Sequence, residues 1–103
     1  MAYSFQSKII KAFKEAGYYV IKHQRTNTNG LPDLQCIKDG HSIFIESKEQ
    51  KDKLSELQKF RIDQLGEAGC DALCLQDGNG VIYGELPLYK SARKVIHLLT
   101  HKN

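Results

Sequence analysis

No stretch of the chain approaches the roughly 18 consecutive apolar residues of a membrane span, and residues 1–14 lack the uninterrupted apolar core of a signal peptide. The sequence therefore predicts a cytoplasmic protein with no membrane partner. Cysteine is also scarce. Cys36, Cys70 and Cys74 are odd in number and have no paired metal-ligand spacing, which argues against zinc and for reduced, mostly buried thiols. Repeats, linkers and low-complexity tracts are missing, and in 103 residues a second core would leave each half too small to fold. Residues 1–103 are read as a single domain.

Acidic residues are nearly absent from both ends. Residues 1–25 carry five Lys or Arg against Glu15 alone, and residues 86–103 carry four and no acid. The net charge of +3 therefore conceals an acidic middle with 6 basic and 11 acidic residues, a balance of −5. Basic flanks around an acidic centre suit a polyanion held at the edges and a cation held between them, although ordinary solvated charge is the competing account.

What is present is a clear succession of periodicities. Phe5, Ile9, Ala12, Phe13 and Ala16 recur at spacings of three and four and predict an amphipathic helix over residues 4–16, closed by Gly17. Residues 18–23 have strand composition, and Tyr18, Tyr19 and Tyr83 are read as strand packing. Residues 24–31 form a polar loop. Two runs, 33–38 and 41–48, flank Asp39-Gly40, a pair favouring a two-residue hairpin turn. A second helix over residues 55–68 offers Leu57, Phe60, Leu65 and Ala68 to the core. A buried strand at 71–76, a short run at 81–83 and a last helix at 88–101 complete an α/β domain with a mixed sheet.

The hairpin carries the chemistry. With Asp39 and Gly40 in the turn, Lys38 faces His41 and Asp33 falls directly opposite Glu46, while Lys48 shares the face of Glu46. The other face opposes Leu34 with Ile45 and Cys36 with Ile43, so a one-residue slip would bury the acids. Two opposed carboxylates are destabilising unless something compensates, and Mg²⁺ or Mn²⁺ would convert the repulsion into a site. Two carboxylates and an ammonium suit phosphodiester hydrolysis. In the competing reading, Glu46 and Lys48 form a surface ion pair with Asp33 solvated nearby.

Gly30-Leu31-Pro32-Asp33, then Glu46-Ser47-Lys48 and the following Leu54-Ser55-Glu56-Leu57-Gln58, resemble the PD-(D/E)XK nuclease superfamily, most closely its VRR-NUC branch. The resemblance covers roughly residues 5–76. It implies a restriction-endonuclease-like core ordered αβββαβ, here with an extra C-terminal helix. It further implies a metal-dependent DNA endonuclease of the junction-resolvase-like kind, acting on branched or duplex DNA and assembled as a homodimer. Carried over by position, Asp33 and Glu46 are the metal ligands, Lys48 the catalytic lysine and Gln58 a fourth member near the metal. Ser55 and Gln58 also spell a capping box, so Gln58 has a purely structural alternative. The family's first-helix glutamate falls on Gln6, which keeps a carbonyl for a supporting role but lacks the charge.

The loop leading into the acidic site supplies Lys22, Arg25, Asn27 and Asn29 as phosphate contacts. His97 and His101 have metal-compatible spacing but no third ligand, and are read as solvated. The alternative function is a catalytically weak nucleic-acid-binding or assembly module that keeps the nuclease fold. A third is a protein-interaction domain using the basic last helix on an acidic partner.

Overall fold

The computed structural model describes residues 4–24 and 29–101. Along them run α1 (Phe5–Glu15), β1 (Tyr19–Lys22), β2 (Leu34–Lys38), β3 (His41–Lys48), α2 (Glu56–Glu67), β4 (Asp71–Gln76), β5 (Gly80–Gly84) and α3 (Lys90–Thr100). The order is the one the periodicities predict. Ser4 starts α1 by accepting the Ser7 N–H at 3.1 Å, and the Glu49 carboxylate accepts the Phe5 N–H at 3.1 Å, where the helix dipole favours an anion. Lys38 donates to the Ala16 carbonyl at 2.8 Å, at the other end of the same helix.

The five strands lie in sequence order, β1-β2-β3-β4-β5. Every neighbouring pair is antiparallel except β3 and β4, which are parallel and joined through α2. Asp39 (φ 51°) and Gly40 (φ 79°) both adopt positive φ, as a twist-matched two-residue hairpin requires, and Asp39 tolerates this better than a branched residue could. The turn sets the register: Lys38 pairs with His41, Cys36 with Ile43 and Leu34 with Ile45.

Alternation along the strands then divides the sheet into two faces. Leu34, Cys36, Ile43, Ile45, Leu73 and Leu75 point to one side, where Phe5, Ile9 and Phe13 of α1 and Ala92, Val95 and Ile96 of α3 complete the main core. Tyr18 closes it, with its ring edge-on to Phe13 at 5.0 Å and its hydroxyl 2.6 Å from that of Ser91. Phe44, Ala72 and Cys74 point the other way and pack against Ile62, Leu65 and Leu54. A register shift between Cys74 and Leu75 lets Val81 join the main core and Tyr83 the smaller cluster.

Three core assignments need correction. Of the α2 residues predicted inward, only Leu65 packs on the sheet: Leu57 (42 %) and Phe60 (52 %) are substantially exposed, Ala68 is exposed, and Ile62 is the buried residue. The cause is the narrow strip α2 covers, mainly β4, which admits a stripe centred on Ile62 and Leu65. Leu57 instead abuts the loop before β2. A Cβ on Gly30 would come within 2.8 Å of its Cγ, so glycine allows the loop to dock there. Tyr19 also departs from expectation and is 70 % exposed on the edge strand.

Candidate active site

The β2–β3 register continues one step past Leu34 and Ile45, which brings Asp33 opposite Glu46 at the end of the hairpin remote from the turn. The neighbouring backbone is held by the His23 N–H, which donates to the Asp33 carbonyl at 2.7 Å, and by Arg61 of α2, whose Nε donates to the Asn29 carbonyl at 2.9 Å. The backbone from Asn29 to Asp33 is therefore held at both of its ends. On β3, alternation places Glu46 and Lys48 on the α2 face, with Lys48 Nζ 3.8 Å from Glu46 Oε2.

Glu46 is 3 % exposed, so the reading of a solvated surface ion pair does not describe it. Its Oε2 accepts from Gln58 Nε2 at 3.2 Å, whereas its Oε1 is buried and, among the described residues, no group meets it at hydrogen-bond distance and angle. Burial above all, and then the Asp33 charge, push the Glu46 carboxyl up to about 7, against the opposing pull of the Lys48 ammonium and the Asp33 backbone N–H.

Gln58 caps α2 and also touches Glu46. Its Oε1 accepts the Ser55 N–H at 2.9 Å while Ser55 Oγ accepts the Gln58 N–H at 3.1 Å, a complete capping box. With the oxygen committed to the cap, the amide nitrogen is the atom left for Glu46. Gln6 sits one residue further out than a ligand would. Its Nε2 donates to Ser47 Oγ at 3.3 Å, and Ser47 Oγ donates to Asp33 Oδ2 at 3.2 Å. Ser47, the unspecified middle residue of Glu46-Ser47-Lys48, thus joins α1 to the Asp33 carboxylate. No pattern in the sequence singled it out.

Gln76 is a second residue that sequence reasoning missed. It pairs with Lys48 across the parallel ladder, is buried, and donates to the Glu49 and Asp52 carbonyls at 3.2 and 2.6 Å, fixing the connection that leaves the site. A buried strand ending in glutamine rather than an apolar residue was the available cue. Among the predicted loop contacts, Arg25 and Asn27 lie outside the described residues. Lys22 pairs with Leu34, whose side chain faces α1, so it stands on the opposite side of the sheet from Glu46. Asn29 is exposed beside α2. His23 is on the site side, with its ring centroid 6.3 Å from that of Phe44.

Among the described residues no three His, Cys, Asp or Glu side chains converge on a metal-sized point. The donor set is two opposed carboxylates, one with an orphaned buried oxygen. That fits a hard, oxygen-preferring ion such as Mg²⁺, which completes its shell with water and substrate phosphate, and does not fit tetrahedral zinc. Asp33 and Glu46 would hold the ion.

The model of the VRR-NUC domain family matches residues 3–76, a span containing Asp33, Glu46, Lys48 and Gln58. A solved chain described as a VRR_NUC domain superposes with a TM-score of 0.63 over 90 % of both chains at 21 % identity, a likeness of fold. No curated protein sequence matches the chain.

Proposed function

Because the chain belongs to the VRR-NUC domain family, with its nuclease-like fold, we propose that it is a metal-dependent DNA endonuclease that hydrolyses phosphodiester bonds in branched or otherwise structured DNA. The observation that carries this reading is the buried, under-satisfied Glu46 facing Asp33, with Lys48 at 3.8 Å. Folding alone disfavours such a pair, and nucleases of this family are generally metal-dependent.

A bound Mg²⁺ or Mn²⁺ supplies Lewis acidity, which neutralises the phosphate and lowers the pKa of its water. The remaining work belongs to the chain. Asp33 and Glu46 provide the negative field that selects a cation. The Lys48 ammonium offers a charged donor to the phosphoryl oxygens as negative charge accumulates on them. Gln58 keeps Glu46 Oε2 occupied and aimed, so that Oε1 is the free donor atom. Ser47, steadied by Gln6, fixes the rotation of the Asp33 carboxylate. His23, Arg25, Asn27 and Asn29 are the proposed contacts to the substrate backbone, while Lys22 would serve from the other face.

Four-way junction, flap, duplex and single-stranded DNA, each incubated with the protein in Mg²⁺ or Mn²⁺ beside Asp33→Ala and Lys48→Ala, test the reading. We expect cleavage of at least one structured substrate and a loss of two or more orders of magnitude in either variant, consistent with removal of a charged group acting at the transition state. Equal cleavage by all three proteins, or none by any, defeats it. Binding without cleavage would favour the alternative, a DNA-binding module that keeps the nuclease fold. A homodimer is part of the proposal, since a junction presents two strands to cut. Light scattering that finds only a monomer with and without DNA would remove that part.

A further inference from the structure

A cavity of about 630 Å³ opens between α3 and β5, and none of its wall belongs to the carboxylate site. Its floor is apolar, formed by Val81, Leu86 and Ile96, and its rim carries Arg93 and Lys94 with no acidic side chain. At one end the imidazoles of His97 and His101 stack with centroids 3.7 Å apart. The whole lining lies beyond residue 76, where the family match ends.

The groove lies on the α3 face of the sheet, opposite the carboxylates, but its histidine end reaches the sheet end where Lys48 lies, so one strand can pass round that end from site to groove. Lys48 pairs with Gln76 and Gln76 with Gly80, so these residues share one end of the sheet. A Cβ on Gly80 would lie 3.8 Å from Thr100, which brings the histidine end of α3 to that same end. At about 4.8 Å per strand, Gly80 is only about 10 Å across the sheet from Lys48.

A cationic rim demands a polyanion, but an apolar floor gains nothing from a duplex, whose bases are stacked inside. An unpaired strand offers both phosphates for the rim and base faces for apolar and imidazole surfaces. We propose that the α3–β5 groove binds an unpaired DNA strand continuous with the substrate in the carboxylate site. This rests on the nuclease reading and narrows its substrate to DNA with a single-stranded segment beside the scissile bond.

The test is fluorescence anisotropy on the full chain in EDTA, with a labelled oligothymidylate of about 12 nucleotides, within the usual range for one single-strand-binding module. The Arg93→Glu/Lys94→Glu chain should bind it about tenfold or more weakly, with an unchanged thermal melt. An abasic oligomer of equal charge should bind wild type about fivefold or more weakly, because base contacts are lost. Photocrosslinks from iodouracil oligomers to wild type, which need no variant, should fall within residues 81–101. Equal binding by the abasic oligomer, unchanged binding by the charge-reversed chain, or crosslinks confined to residues 22–29 would overturn the inference. Cleavage that depends on Asp33 but lacks groove binding defeats this inference alone. Groove binding without Asp33-dependent cleavage defeats only the nuclease reading.

Discussion

Glu46 is held in a state that folding by itself would avoid. Its carboxyl has an ordinary value of 4.5 and a folded value of about 7, so between those values the folded chain binds more protons than the unfolded one. For this group, stability is greatest below pH 4.5, declines as pH rises towards 7, and stays diminished above it. In EDTA, thermal melts should therefore show a decline between pH 5 and 8 that Glu46→Gln flattens, and at pH 8 the variant should be the more stable by roughly 1–3 kcal/mol, the usual cost of an unsatisfied buried polar group. Mn²⁺ should stabilise wild type at pH 8 far more than Glu46→Gln. A wild-type melting temperature that rises from pH 5 to pH 8 while that of Glu46→Gln stays flat would show that Glu46 is not buried as a strained acid. Asp33, Glu46 and Lys48 stood out in the sequence because the Asp39-Gly40 turn sets a register that puts Asp33, just before β2, opposite Glu46, with Lys48 two residues further along β3. Ser47 did not, since a serine between two motif positions carries no pattern; only the fold brings α1 and Asp33 to its hydroxyl.

At the scale of elements, the hairpin and the start of α2 together form the candidate site. The hairpin was fully readable: a positive-φ turn of Asp39 and Gly40 sets the register, and register sets which side chains share a face. Helix α2 was readable in extent but not in orientation. Its apolar residues include Leu57 and Phe60, which periodicity assigns to the core, yet contact with β4 selects Ile62 and Leu65. Sequence periodicity reports which faces a helix could bury and not how wide a surface it meets. The capping box offers a clean separation of structure from function. Ser55→Ala and Gln58→Ala should each lose part of the same cap, about 1 kcal/mol in a denaturant titration. Only Gln58→Ala also frees Glu46 Oε2, so it alone should raise the metal concentration needed for half-maximal cleavage, by about 10-fold, as loss of a ligand-supporting group commonly does. Equal metal dependence in both variants would reduce Gln58 to a cap.

Across the whole molecule, charge and chemistry fall on opposite sides of one sheet. The exposed Lys8, Lys11 and Lys14 of α1 and Lys90, Arg93 and Lys94 of α3 lie on the helical layer remote from Glu46, with Glu15 the one acid in these two helices. The uneven charge of the sequence pointed to basic flanks, but which face they would occupy depended on the packing of α1 beside α3, a contact between segments some eighty residues apart. A substrate gripped only at the carboxylate side would release few counterions. One that also engages this layer would make about four more phosphate contacts, and its affinity should fall on the order of 100-fold further between 50 and 200 mM salt. Anisotropy titrations of a branched substrate across that range, in Ca²⁺ or EDTA to prevent turnover, measure the slope directly. Lys8→Gln/Lys11→Gln should shallow it by nearly two units while leaving the melting temperature in place, because both side chains are exposed on α1. A slope identical to wild type would exclude Lys8 and Lys11 from the phosphate contacts, and the basic face of α1 would then serve some purpose other than holding the substrate.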